Sequence, residues 1–253
     1  MKLISLNTWG GRAGKEGLLA FFERYQDIDI FCLQEIWSAP YNDMDRAAGW
    51  LSMDQDGIMV YGLSEIATTL HDHIHYFHPH HEDNYGLAIY LRDNLKVIDQ
   101  GDVFVHKYRG YEPEWDIGHH ARNIEYITIE TPRWVRTIIN FHGLWNGQGK
   151  TDSPDRLIQS ENIIEFLRTL DHPYILCGDF NLLPNTESIY KLEVFGLRNL
   201  IAHYWVTSTR TSFYTKAEKF ADYAFAHDDI VIHEFTILPD EVSDHSPLYV
   251  DFE

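Results

Sequence analysis

Eight side chains with acid, base or ligand chemistry stand next to apolar runs along this chain: Asn7, Glu35, His142, Asp179, Asn181, Asp222, Asp244 and His245. Asn7 closes the run 2–8, Glu35 follows 28–34, and His142 follows 135–141. Asp179 and Asn181 come just after Tyr174-Ile175-Leu176-Cys177-Gly178, Asp222 lies within 219–225, and Asp244 and His245 precede the last run, 247–252. Each has an ordinary structural explanation when taken singly. Asn7 can cap a strand, Glu35 can pair with an arginine, Gly178-Asp179 can be a turn, and Ser243-Asp244-His245 can be a loop. Brought together, four carboxylates would repel and resist ionisation unless a cation neutralised them. Oxygen ligands without cysteine favour a hard ion, Mg²⁺ or Mn²⁺, over zinc.

The elements that must hold these groups are mostly strands. Apolar patterning predicts strands at 2–8, 28–34, 74–78, 85–91, 97–105, 124–129, 135–141, 174–177, 220–226, 230–238 and 247–252. Helical spacing runs over 15–25, with Leu18, Leu19 and Phe22 on one face, and over 154–170. In the second helix Asp152 or Ser153 can cap the start, Pro154 suits the first turn, and Leu157, Ile158, Ile164 and Leu167 form the apolar stripe. Shorter helices fit 61–70 and 184–192. Strands outnumber helices and several are joined by short turns, which predicts mixed or antiparallel sheets with covering helices, not one parallel doubly wound sheet.

Composition narrows the function classes. The 253 residues allow one or two domains, and 44% hydrophobic with 23% charged residues fits a globular protein with a sizeable core. No stretch approaches the roughly 18 consecutive apolar residues of a membrane-spanning helix, so no membrane insertion is expected. The N-terminal residues lack a long apolar segment followed by a small-residue cleavage site, so no secretory signal is expected. Cys32 and Cys177 each sit in an apolar run, as small core residues would, which fits a reducing, cytoplasmic setting. Acids outnumber bases 39 to 20, a formal charge of -19, which predicts solubility and disfavours binding along extended duplex DNA.

Leu6-Asn7-Thr8-Trp9, Leu33-Gln34-Glu35, Phe141-His142-Gly143-Leu144, Gly178-Asp179-Phe180-Asn181, Asp222-Tyr223 and Ser243-Asp244-His245 resemble, in order and spacing, the motifs of the endonuclease/exonuclease/phosphatase superfamily. Tyr85-Gly86-Leu87-Ala88-Ile89 resembles its central strand, and 156–167 its following helix. The resemblance spans nearly the whole chain and implies one domain over 1–253. The implied fold is α/β, of the α+β type: a four-layer sandwich of two packed mixed sheets flanked by helices. It also implies roles. Glu35 resembles the main metal ligand, with Asn7 beside it and Asp244 near the ion. Asp179 resembles the residue that orients or deprotonates the attacking water, and Asn181 a donor to phosphate oxygens. His245, oriented by Asp222, resembles the phosphate-contacting histidine, and His142 the second histidine of the phosphatase and DNase-like branches. Some nuclease members carry an acid two positions after the first asparagine, where this chain has Trp9.

These roles suit in-line attack on phosphorus, which needs an activated water, donors for the equatorial oxygens and a cation near the leaving oxygen. The resemblance therefore implies a divalent-metal-dependent hydrolase of a phosphate mono- or diester, small or headgroup-like. A nuclease acting on DNA or RNA is the alternative, and an inactive binding module of the same fold a third reading. The intact set of polar residues argues against the third. Arg122 near a strand start, Lys150 in the glycine-containing loop 145–152, and Arg210 are candidate substrate-binding cations, with Lys216 and Lys219 read as solvated surface charge. The histidine-dense stretch 71–83 could bind a transition metal through His71, His73 and His75, which alternation places on one strand face. An exposed strand face and a polar loop is the preferred reading. No protein partner is indicated.

Overall fold

The computed structural model describes residues 1–40, 57–113 and 117–253. These form, in chain order, β1 (Lys2–Asn7), α1 (Lys15–Arg24), β2 (Ile30–Trp37), α2 (Gly62–Thr69), β3 (His73–His81), β4 (Tyr85–Arg92), β5 (Lys96–His106), β6 (Arg122–Glu130) and β7 (Val135–His142). There follow α3 (Pro154–Leu167), β8 (Tyr174–Asp179), α4 (Glu187–Val194), β9 (Arg198–Asn199), α5 (Leu200–His203), β10 (Asp222–Ala226), β11 (Ile232–Ile237) and β12 (Leu248–Phe252).

The alternation of the first strands explains the layers. Leu3 packs in one core with Ile30, Cys32, Ile89 and Leu91, while Ile4 and Leu6 pack in another with Phe31, Leu33, Ala88 and Tyr90. Successive side chains of a strand point to opposite faces, so both faces of this sheet are covered. Leu18, Phe21, Phe22, Ile66 and Leu70 of α1, α2 and its C-terminal end cover the outer face. The sheet has six strands in the order β11-β12-β1-β2-β4-β3, and the second has six in the order β5-β6-β7-β8-β10-β9. Each contains a parallel pair, β1 with β2 and β7 with β8, among antiparallel neighbours. Ile163, Ile164, Leu167, Ile189 and Leu192 of α3 and α4 pack into the core that includes the second sheet. The result is two packed mixed sheets flanked by helices, the architecture the resemblance implied.

A chain of fully buried polar groups ties the sheets together. Gln34 Nε2 donates to Asn140 Oδ1 at 2.7 Å, and Asn140 Nδ2 donates to Glu125 Oε2 at 3.1 Å and to the Leu33 carbonyl at 2.9 Å. His78 Nδ1 meets the other Glu125 oxygen at 3.0 Å. Desolvation raises the Glu125 pKa, against which the His78 contact acts.

Some local expectations change. Strand β3 runs through His81, so part of the polar loop expected there is strand; His73 and His75 lie on one face, against Phe31 and Tyr90, while His71 precedes the strand. His73 is buried with Nε2 2.8 Å from the Ile28 carbonyl, His71 and His75 are exposed, and His80 and His81 are buried. The histidines of 71–81 form no metal-ligand grouping among the described residues. In α3 the buried face is Arg156, Gln159, Ser160, Ile163, Ile164 and Leu167, while Ile158 is 52% exposed. Arg156 and Gln159 turn inward because they satisfy loop backbone: Arg156 Nε donates to the Leu144 carbonyl at 3.1 Å, and Leu144 N donates to Gln159 Oε1 at 3.0 Å. Ser153 caps α3, and Asp152 instead accepts from Glu187 N and Ser188 N at the start of α4. The two-residue β9 and one-turn α5 are too short for periodicity to reveal.

Gly178 allows the closest approach of β7 to β8. Its φ is +141°, and a Cβ there would lie 2.0 Å from the Phe141 carbonyl oxygen. Gly178→Ala is expected to destabilise by about 3 kcal/mol or more, lowering Tm by about 6 °C or more. A melting curve within about 2 °C of wild type would contradict this packing.

Candidate active site

The strand registers put the polar ends in two facing rows. In the second sheet His142 pairs with Asp179 across β7 and β8, and Asp179 pairs with Asp222 across β8 and β10. In the first sheet Asn7 pairs with Gln34, the residue before Glu35. A register shift between β2 and β4 falls between Leu33 and Ile36, and Glu35 within it has φ +59°. Such a bulge re-aims a side chain that regular alternation would have pointed elsewhere. Asn181 also takes a left-handed backbone, φ +54°. Non-glycine residues hold this conformation at a cost of about 1–3 kcal/mol, a strain that clusters at functional sites.

Asp179 is the meeting point. Asn7 Nδ2 donates to its Oδ2 at 3.0 Å and to Glu35 Oε1 at 3.2 Å, so one amide bridges the two sheets. The Asn181 backbone N donates to Asp179 Oδ1 at 2.8 Å. His142 Nε2 and His245 Nε2 stand 3.7 Å and 3.6 Å from Asp179 Oδ2. His245 Nδ1 is 2.7 Å from Asp222 Oδ1, whose other oxygen accepts from Thr209 Oγ1 at 2.9 Å. The carboxylate thereby fixes which imidazole nitrogen carries its proton and which faces Asp179. Arg12 Nη1 lies 3.8 Å from Glu35 Oε2.

The candidate cations converge on the same place. Lys150 is buried and donates to Asn181 Oδ1 at 2.9 Å. Arg210 Nη1 pairs with Asp244 Oδ2 at 3.1 Å, with its guanidinium 4.1 Å from the Tyr214 ring centroid. Arg122 is buried, and its charge interacts with those of Glu35 and Asp179. Lys216 and Lys219 are exposed.

Electrostatics sharpens the differences between these groups. Burial pushes the Asp179 carboxyl up, but His245 and then Lys150 outweigh it and hold it well below the usual carboxylate range. Burial likewise opposes charge on His245, and the Asp222 carboxylate overcomes this, so the His245 pKa rises. His142 goes the other way: burial and the Arg122 charge hold it well below the ordinary imidazole value, neutral at pH 7. Burial lowers Lys150 to about 8.

Asp179, Asp222 and His245 each offer a ligand atom, and these lie within 4.8 Å of one another, close enough for one metal ion. Both Asp222 oxygens are already engaged, however, by His245 and Thr209. Asn7, Glu35 and Asp244 are not part of that grouping. Among the described residues Asp244 Oδ1 is buried without a hydrogen-bond donor, and Glu35 lies across Asn7 from Asp179. An oxygen-rich set with an orphaned carboxylate oxygen fits a hard divalent cation.

Several neighbours escaped the sequence reading. His80 stacks on His120 with centroids 4.9 Å apart, and its ring lies 5.8 Å from His142, with Tyr85 packed edge-on against both His80 and His120. Histidine density in 71–83 was the available signal, but nothing in the pattern tells which of those rings turn inward. Thr209 and Tyr214 carry no motif.

The chain matches the model of the Endonuclease/Exonuclease/phosphatase family over residues 4–245. No curated protein matches it in sequence. Among solved structures, a family member from Bacteroides thetaiotaomicron superposes with a TM-score of 0.75 at 17% identity, covering 100% of this chain and 97% of that one. A mannosyl-6-phosphatase from the same organism gives 0.72 at 17% identity, covering 100% and 99%. The human Nocturnin catalytic domain with bound sulfate anion gives 0.64 at 16% identity, covering 100% and 94%. At such identities these structures speak for the fold, and the family match extends from β1 to the Ser243-Asp244-His245 segment. The chain is thus a member of the endonuclease/exonuclease/phosphatase family, a metal-dependent phosphoesterase.

Proposed function

We propose that this chain hydrolyses a small or headgroup-like phosphate mono- or diester in the cytoplasm, working as one domain over 1–253 with Mg²⁺ or Mn²⁺. The observation that carries this reading is Asp179 between Asn7, His142 and His245, with His245 held by Asp222. Asp179, kept ionised, accepts the proton of the attacking water. Protonated His245 and the Asn181 amide meet the phosphate oxygens, and neutral His142 supports the attacked face. Glu35, with Asn7 and Asp244, would hold the ion, which supplies charge neutralisation at phosphorus when bound. Arg122, Lys150 and Arg210 would bind the substrate phosphate. The mannosyl-6-phosphatase, of the same fold, supports a small phosphate ester as the substrate. The formal charge of -19 supports a small substrate over duplex DNA.

The test is a screen of the purified chain with Mg²⁺ or Mn²⁺ against sugar phosphates, nucleotides, phospholipid headgroups, RNA and duplex DNA at low and physiological salt. Turnover of small esters, abolished by excess chelator and restored by metal, is expected. Efficient duplex cleavage with a steep salt dependence would move the assignment to a nuclease. With a substrate in hand, His245→Ala is expected to lower kcat at least about a hundredfold by removing a donor to transition-state charge. Asp222→Asn acts in the same direction through the imidazole tautomer. Wild-type turnover in both variants would sink these roles.

A further inference from the structure

The cations around Asp179 carry information about the charge of the substrate. Arg122 begins β6, Lys150 sits in the loop after β7, and Arg210 precedes β10, so three distant parts of the chain converge. Arg122 is 2% exposed and Lys150 6% exposed, and the Arg210 side chain is 4% exposed. Each interacts electrostatically with Asp179.

Among the described residues, Arg122 Nε and Nη1 and Arg210 Nε are buried N–H groups without an acceptor. Lys150 directs one N–H to Asn181 Oδ1, and an ammonium has three. Buried donors lacking acceptors are rare, because they give up water without replacement. Arg210 is nevertheless fixed, by Asp244 at one nitrogen, by Tyr214 across its face, and by a backbone bridge to His245. Buried cationic donors that are held rigid and left without acceptors suit a ligand made of acceptors.

Charge points the same way. Among the described residues, Glu35, Asp179, Asp222 and Asp244 are opposed by Arg12, Arg122, Lys150 and Arg210, four charges against four before any divalent ion is bound. A bound divalent cation makes that balance positive. A monoester dianion offsets it better than a diester monoanion, and presents three terminal oxygens instead of two. The surrounding His80, His120 and His142 are neutral by burial and leave the balance unchanged.

We propose that Arg122, Lys150 and Arg210 form a clamp that selects a terminal phosphate monoester, bound as its dianion, over a phosphodiester. The proposal rests on reading the site as that of a phosphoesterase, and two readouts separate the two ideas. In the first, calorimetry at pH 8 in Mg²⁺ compares inorganic phosphate with dimethyl phosphate. Phosphate is expected to bind at least about tenfold more tightly, and Arg210→Met or Lys150→Met to remove most of that difference. In the second, the wild type is expected to favour 4-nitrophenyl phosphate over bis(4-nitrophenyl) phosphate in kcat/KM by at least about tenfold. Arg210→Met should cost the monoester about tenfold more than the diester, with partial rescue by Arg210→Lys. Equal or tighter binding of dimethyl phosphate overturns the clamp whatever the turnover. An equal loss on both esters in Arg210→Met also overturns it. Selective phosphate binding without turnover of any ester would sink the hydrolase reading and leave the clamp standing. A thermal melt checks that Arg210→Met is folded, and if it is not, Lys150→Met decides.

Discussion

Asp179→Asn is expected to lower kcat by about a thousandfold or more, with a much smaller change in KM. The side chain is nearly isosteric and only 2% exposed, so the shape of the site should survive. What is lost is the anion that accepts Asn7 Nδ2 and Asn181 N and faces both imidazoles. An amide there cannot take a proton from water, and its NH₂ group would oppose that of Asn7. His245 would also lose part of the negative field that raises its pKa, so the alkaline limb of any residual pH profile, where protonated His245 is lost, should move to lower pH. The measurement is kcat and KM against pH for a screened ester, with a melting curve to confirm folding. Turnover within about tenfold of wild type would mean that another group activates the water.

The second large effect concerns acid. Burial pushes His73, His80, His81, His106, His120 and His142 below the ordinary imidazole range, His81 and His106 to about 4. Their unfolded pKa lies near ~6.5, so between that value and their folded values the unfolded chain binds more protons. Stability is then complete above the unfolded pKa and falls as pH drops through the window. His81 and His106 would each contribute roughly 3 kcal/mol to the loss by pH 4. His78 and His245 have raised values and oppose the trend, since their stabilisation is present at low pH and lost as pH rises through their folded values. The net expectation is a loss of at least about 5 kcal/mol between pH 6.5 and pH 4, with several protons taken up on unfolding. Urea denaturation at half-unit pH steps measures both. Stability that stays flat to pH 4.5 would show that these rings titrate freely in the folded chain.

Much of the architecture was legible because the strands are covered on both faces and appear as apolar runs that stop abruptly at a polar residue. That stop is what marked Asn7, Glu35, His142 and Asp179, and the structure gathers Asn7 and His142 around the Asp179 carboxylate, with Glu35 joined to it through Asn7. Register was not legible. Nothing local tells that Asp222 begins β10 opposite Asp179, or that the bulge in β2 turns Glu35. The inward turn of Arg156 and Gln159 was not legible, because polarity suggests solvent, whereas here the backbone of the loop preceding their helix calls them inward. The inward turn of His80 depends on its hydrogen bond to Asn123 of β6, a partner 43 positions away.

The thread of Gln34, Asn140 and Glu125 between the sheets sits directly behind the residues that do the chemistry, since Glu35 follows Gln34 and His142 stands two positions after Asn140. It behaves as a spacer of fixed length. Glu35 hangs from one sheet and Asp179 from the other, so the distance between them is inherited from the thickness of the core. A displacement of about 1 Å can cost a hundredfold in rate, far less than the movement needed to melt either sheet. Enlarging or shrinking side chains deep in the layer between the sheets should therefore detune the enzyme long before it loosens the fold, and inactive yet fully folded variants should map to positions that touch no substrate.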